Sequence, residues 1–161
     1  RYGLEDKMAL AMAYGSILEI FDDFLPLYAE AEMSWPVLKG LRGIRVAAWT
    51  HADTDWTGRK MMMHPGLERV FSGGVYAVGV SKPKECGSVL GSLGVAPSEV
   101  VVVGDSLRSD ITTAVRAGVP GENIFWVNTK GVLAGEVELP DGVKVVADLW
   151  EAVNVMAMGW S

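Results

Sequence analysis

Two carboxylates five positions apart, Asp105 and Asp110, follow a run of valines in the segment VVVGDSLRSD, residues 101–110. A short run of β-branched apolar residues predicts a strand buried on both faces. Open parallel sheets bind their ligands at the carboxyl ends of such strands. Gly104 is expected to let the backbone turn tightly at that end. Ser106 and the amides after it fall where a helix should begin, and Asp110, just inside the helix, can point back at the same spot. Two converging carboxylates suit a hard divalent cation that takes oxygen ligands and keeps several waters, the preference of Mg2+. The plainer alternative is a strand that merely ends in Asp105 and a helix capped by Asp110.

A second candidate is Val80-Ser81-Lys82-Pro83, 23 residues before Asp105 with a helix and a strand between. A lysine followed by proline on a short loop is a fixed point charge. It can neutralise a phosphoryl oxygen and a nearby carboxylate. A third is Trp49-Thr50-His51 at the end of an apolar run. A threonine hydroxyl and neighbouring amides at a strand tip can donate to a phosphate. Taken singly, an exposed lysine is a solvated lysine and strand-ending threonines are common.

The elements that must place these groups alternate in type. Residues 4 to 33 carry apolar positions at helical spacing, with Gly15 and Pro26 as breaks and Asp22-Asp23 on the polar face. Pro36 is expected to open a short helix over 37–41 that Gly43 ends. Strands are predicted over 44–49, 73–78, 100–103, 124–127 and 143–146. Helices are predicted near 56–63, 84–93, 109–117 and 149–156, with a Gly-rich surface loop over 131–142. This alternation predicts βαβ units and an α/β fold: a three-layer, Rossmann-like parallel sheet. No Gly-x-Gly-x-x-Gly follows any strand, which leaves little for a dinucleotide-binding domain.

Thr50, Lys82, Asp105 and Asp110, in this order and at these spacings, resemble the second, third and fourth motifs of the haloacid dehalogenase-like hydrolase superfamily. The ending, IFWVNTKG from Ile124 and VKVVADLWEAV from Val143, resembles the last strand and helix of members with a helical cap. Residues 21–43 look like the return from that cap into the core. The resemblance implies residues 1–34 as a helical cap remnant or cap-to-core linker, and 35–161 as a partial core. It implies a Mg2+-dependent phosphohydrolase acting on a small phosphorylated metabolite through a phospho-aspartate. Thr50 and the His51 amide would hold the phosphoryl group and Lys82 would balance its charge. Asp105 would bind the metal, and Asp110 would bind it or orient its water.

The first motif of that family, a strand followed by Asp-x-Asp-x-Thr, supplies the nucleophile and the general acid and base. Asp53-Thr54-Asp55-Trp56-Thr57 matches it literally but sits three residues past the strand ending at Thr50, and too few residues follow before Lys82 for another strand and helix. Asp22-Asp23 has the wrong spacing. The chain is therefore expected to hold the acceptor half of a site without its nucleophile, and alone to be inactive. Its start at Arg1 fits a processed product or a piece of a longer polypeptide. A non-catalytic binding module of the same fold is the alternative. A missing strand would leave an open sheet edge through which the chain could self-associate.

Composition agrees with a folded domain: half the residues are apolar and 21% are charged. A formal charge of −6 argues against nucleic acid or an anionic membrane as partner, and leaves room for a phosphorylated small molecule met by one or two local cations. No run approaches the ~18 apolar residues of a membrane span, and no signal peptide is evident. The single cysteine, Cys86, cannot form an internal disulfide, so a reducing, cytoplasmic setting is expected. Cys86 itself is expected to be a buried or half-buried helix residue.

Overall fold

The computed structural model describes residues 28–79, 81–132 and 136–159. The helix expected before residue 28, with Asp22 and Asp23, lies outside them, as do Val80 and residues 133–135 of the Gly-rich loop.

Helix α1 (Ala29–Gly40) has Glu30 and Glu32 in its first turn and Lys39 in its last, charges that complement the helix dipole. Pro36 lies inside this helix and does not open a new one, so the helix runs unbroken through residues 34 and 35. Pro36 removes one backbone donor from the ladder. Packing holds the helix together around it: Ser34 is fully buried, and Val37 and Leu38 lie against the core.

Strand β1 (Ala47–Thr50) starts later than the apolar run suggests and extends through Thr50. Asp53 then caps α2 (Thr54–Met63), accepting from the amides of Asp55 at 2.9 Å and Trp56 at 3.1 Å. A short helix α3 (Leu67–Val70) and strand β2 (Gly74–Ala77) follow. Helix α4 (Lys82–Leu93) begins two residues earlier than expected. Lys82 and Pro83 are its first two residues and not a preceding loop. The first turn has no intrahelical acceptor for its amides, so the N–H that proline lacks is not missed there. Gly94 ends the helix with φ of 65°.

Strand β3 (Val102–Gly104) leads into a π-helical turn over Leu107–Ile111, which passes directly into α5 (Thr112–Arg116). Strand β4 (Ile124–Val127) falls where expected. Strand β5 (Lys144–Val146) and helix α6 (Leu149–Gly159) complete the described chain.

The strands are all parallel and form two sheets, β1-β2 and β3-β4-β5. Strand β4 shows why the larger sheet is covered on both faces. Ile124 and Trp126 belong to a cluster with Ile111, Ala114 and Val119, beside the π-turn and α5. Phe125 belongs to the other cluster, with Val146 and with Ala152, Val153 and Met156 of α6, and α1 adds Val37 and Leu38 there. The two-residue period of the strand thus sends alternate side chains into helical layers on opposite faces. The result is the three-layer α/β arrangement that the alternation of elements predicts. Among the described residues no helix is long and apolar enough to cross a membrane.

Candidate active site

The carboxyl ends of the two sheets meet at one ion pair. Lys82, the first residue of α4 after β2, places Nζ 2.6 Å from Oδ1 of Asp110, in the π-turn after β3. Both side chains are largely removed from solvent, at 13% and 9% exposure. The lysine also stands over the indole of Trp49 in β1, with Nζ 5.5 Å from the ring centroid. An ammonium ion over an aromatic face is held by the ring quadrupole. Residues from β1, from the end of β2 and from the end of β3 are thereby tied to one cation.

Asp110 is bound at both oxygens. Oδ1 also accepts from the Ser109 hydroxyl at 3.1 Å, and Oδ2 accepts from the Ser106 amide at 3.1 Å. A buried carboxylate needs such donors, since desolvation without them costs several kcal/mol, by an order-of-magnitude estimate. Gly104 makes the approach possible. A Cβ built on it would lie 2.6 Å from both Cβ and Oδ2 of Asp110. Gly104 is not among the glycines with positive φ, so close packing of the carboxylate, and not a left-handed turn, requires glycine here.

Asp105 is exposed at the end of β3, and its carbonyl accepts from the Trp126 indole N–H at 3.0 Å. Thr50 closes β1, half-buried, and its carbonyl accepts from the Val78 amide at 2.9 Å. His51 is exposed just beyond it. Asp53 spends its carboxylate on the helix cap already described. Lys82 and Asp110 are thus brought into direct contact, with Thr50 one residue from the tryptophan beneath the lysine. Three contributing side chains carry no sequence signal of this role. Ser109 is an ordinary helix-start serine until its hydroxyl is placed, and Trp49 and Trp126 act through contacts between distant segments.

A divalent cation is the group the motifs imply here. Asp105 is an exposed carboxylate residue, and Asp110 Oδ2 accepts one hydrogen bond from the protein, which leaves it a lone pair. That donor set fits an ion that keeps most of its waters. Among the described residues no cluster of three or more His, Cys, Asp or Glu side chains is arranged to hold a metal. An open cavity of about 430 Å3 lies between α2, β2 and α4, against Thr57, Met61, Tyr76, Ser88 and Val89, and none of Thr50, Lys82, Asp105 and Asp110 lines it. Cys86 is buried in α4, and burial pushes its thiol pKa up, so it is an inert packing residue.

The model of the haloacid dehalogenase-like hydrolase family matches residues 3–118. Solved structures similar to the chain share its fold at low identity. A haloacid dehalogenase-like family hydrolase from Xanthomonas campestris is 17% identical, with a TM-score of 0.68, over 98% of this chain and 64% of that one. A HAD phosphatase from Thermococcus onnurineus is 24% identical, with a TM-score of 0.69, over 89% of this chain and 64% of that one. A 2-haloacid dehalogenase from Pseudomonas syringae is 22% identical, with a TM-score of 0.67, over 99% of this chain and 65% of that one. The chain thus spans somewhat under two thirds of the length of each. No curated protein sequence matches it.

Proposed function

Since the chain belongs to the haloacid dehalogenase-like hydrolase family, we propose that it forms the phosphate-and-metal half of a Mg2+-dependent phosphohydrolase. An aspartate-bearing strand between β1 and β3 completes the site in this reading. The observation that carries it is the Lys82–Asp110 pair, which joins the carboxyl ends of two parallel sheets that share no strand pairing. A parallel strand inserted between them would make one continuous sheet. Its carboxyl end would open beside Thr50, Lys82, Asp105 and Asp110.

The chemistry divides between the inserted strand and this chain. The first aspartate of the inserted strand attacks phosphorus, and the alcohol of a small phosphorylated metabolite leaves with a proton from the second. Water, giving a proton back to that second carboxylate, then hydrolyses the acyl phosphate to free phosphate and the first aspartate. The Thr50 hydroxyl and the His51 amide hold equatorial phosphoryl oxygens. Lys82, fixed by Asp110 and by the Trp49 ring, sets a positive charge between the phosphoryl group and the nucleophile. Such prepositioned charge needs no reorganisation during reaction. Asp105 and Asp110 would hold Mg2+, which supplies charge neutralisation to the transferring group.

The test is hydrolysis of an aryl phosphate with Mg2+, by this chain and by a polypeptide extended upstream to include an Asp-x-Asp strand. The expected result is no turnover by the chain and turnover by the extended protein that is lost in Lys82→Met. An extended protein that folds, carries Asp-x-Asp and hydrolyses no phosphate ester would favour a non-catalytic module. Turnover by the chain itself, lost in Asp53→Asn and kept in Lys82→Met, would show that Asp53 is the nucleophile.

A further inference from the structure

We propose that Trp126 is a positioning residue for this site, acting on Asp110 through the single peptide unit between Asp105 and Ser106. The inference rests on Asp110 belonging to the active site. Two hydrogen bonds hold that peptide from opposite ends. Its carbonyl, on Asp105, accepts from Trp126 Nε1 at 3.0 Å, and its amide, on Ser106, donates to Asp110 Oδ2 at 3.1 Å. The described chain has no cis peptide, so C=O and N–H of this unit point in opposite directions. Once the indole holds the carbonyl, the amide can point only the other way, toward Asp110. The two bonds also polarise the same amide group, and each strengthens the other.

The placement of Trp126 makes this specific. It pairs in register with Gly104 across β3 and β4, so its indole lies beside the end of β3 where the loop leaves. Trp126 is 6% exposed, in a cluster with Ile111 and Ile124. Phenylalanine could fill that apolar space. The indole N–H is the part that filling space does not require, and a buried indole N–H needs an acceptor. The acceptor it finds is the backbone of the metal-binding loop. Asp110 then orients Lys82 through the 2.6 Å ion pair. The sequence of contacts runs from the core of the sheet to the lysine, through one peptide and one carboxylate.

The experiment is amide and indole NMR on the 15N-labelled full chain, with no metal or substrate added. Trp126→Phe keeps the aromatic packing and removes the donor. The Ser106 amide proton is expected to move upfield and to exchange roughly 3–10-fold faster, the loss of one ordinary hydrogen bond, while amides of α6 stay unchanged. A second variant keeps Trp126 in place. In Asp110→Asn the acceptor of the Ser106 amide is neutral and weaker, and the Trp126 indole proton should shift in response. An unshifted Ser106 amide in folded Trp126→Phe overturns the proposal. Should that variant fail to fold, an unshifted indole in Asp110→Asn does so instead. Neither readout depends on turnover, so failure here is distinct from failure of the phosphohydrolase assay.

Discussion

At the scale of single residues the site is a lysine and an aspartate that depend on each other. Lys82 and Asp110 are nearly buried, and the desolvation of each is offset by the other together with Ser106, Ser109 and Trp49. A screened surface pair would contribute less than about 1 kcal/mol. Here a double-mutant cycle with Lys82→Met and Asp110→Asn, read by urea unfolding at neutral pH, is expected to give a coupling of about 1–3 kcal/mol. A coupling under about 0.5 kcal/mol, within the additivity error of independent sites, would mean that water screens the pair. Lys82 and Asp110, which the fold brings into contact, were legible in the sequence because each follows a run of β-formers at a short offset. Trp126 was not. Its polar contact is with Asp105, 21 residues earlier in the chain, and nothing local marks an indole as a donor to a distant carbonyl. Trp49 stands out in the sequence only as the residue before Thr50, since periodicity cannot say which cation will lie over a ring.

At the scale of elements, the types followed from sequence and the boundaries followed from packing. Strand β4 coincides with its apolar run because every residue in it has a buried or half-buried place. Helix α1 passes through Pro36 because burial of Ser34, Val37 and Leu38 outweighs one lost donor. The π-turn at Leu107–Ile111 has no signature in the residue pattern. It sets where Asp110 points, since the amides of both Asp110 and Ile111 bond the Ser106 carbonyl, at 2.9 and 3.2 Å. Two glycine substitutions should therefore act in opposite directions. Gly104→Ala drives a methyl group into Asp110, and overpacking of this kind costs about 1–3 kcal/mol. Gly91→Ala, exposed in the last turn of α4 with nothing within 4 Å of the new carbon, should stabilise by roughly 0.5 kcal/mol by restricting the unfolded chain. Thermal or urea unfolding of the two variants checks this. If Gly104→Ala is as benign as Gly91→Ala, the carboxylate does not sit against the strand end.

At the scale of the whole molecule, the division into two sheets decides how the chain behaves alone. Strands β1 and β3 each lack a partner on one side among the described residues, and such edges can pair with another chain. Both are short, four and three residues. Pairing along one of them adds only a few backbone hydrogen bonds, each worth about 0.5–1.5 kcal/mol net. Bringing two molecules together costs at least about 4 kcal/mol. Association between copies through these edges should therefore be no tighter than about millimolar, which corresponds to about −4 kcal/mol. A strand on the same polypeptide faces an effective concentration already in the millimolar range and pays less, so it should win the slot over a second copy. Rotational correlation times measured over a dilution series are expected to show a monomer at micromolar concentration and growth only toward millimolar. A polypeptide extended upstream by an Asp-x-Asp strand should stay monomeric throughout and unfold at higher denaturant. A micromolar dimer of the chain would place the contact on some other surface. Equal stability of the chain and the extended protein would mean that the space between β1 and β3 is not where a strand belongs.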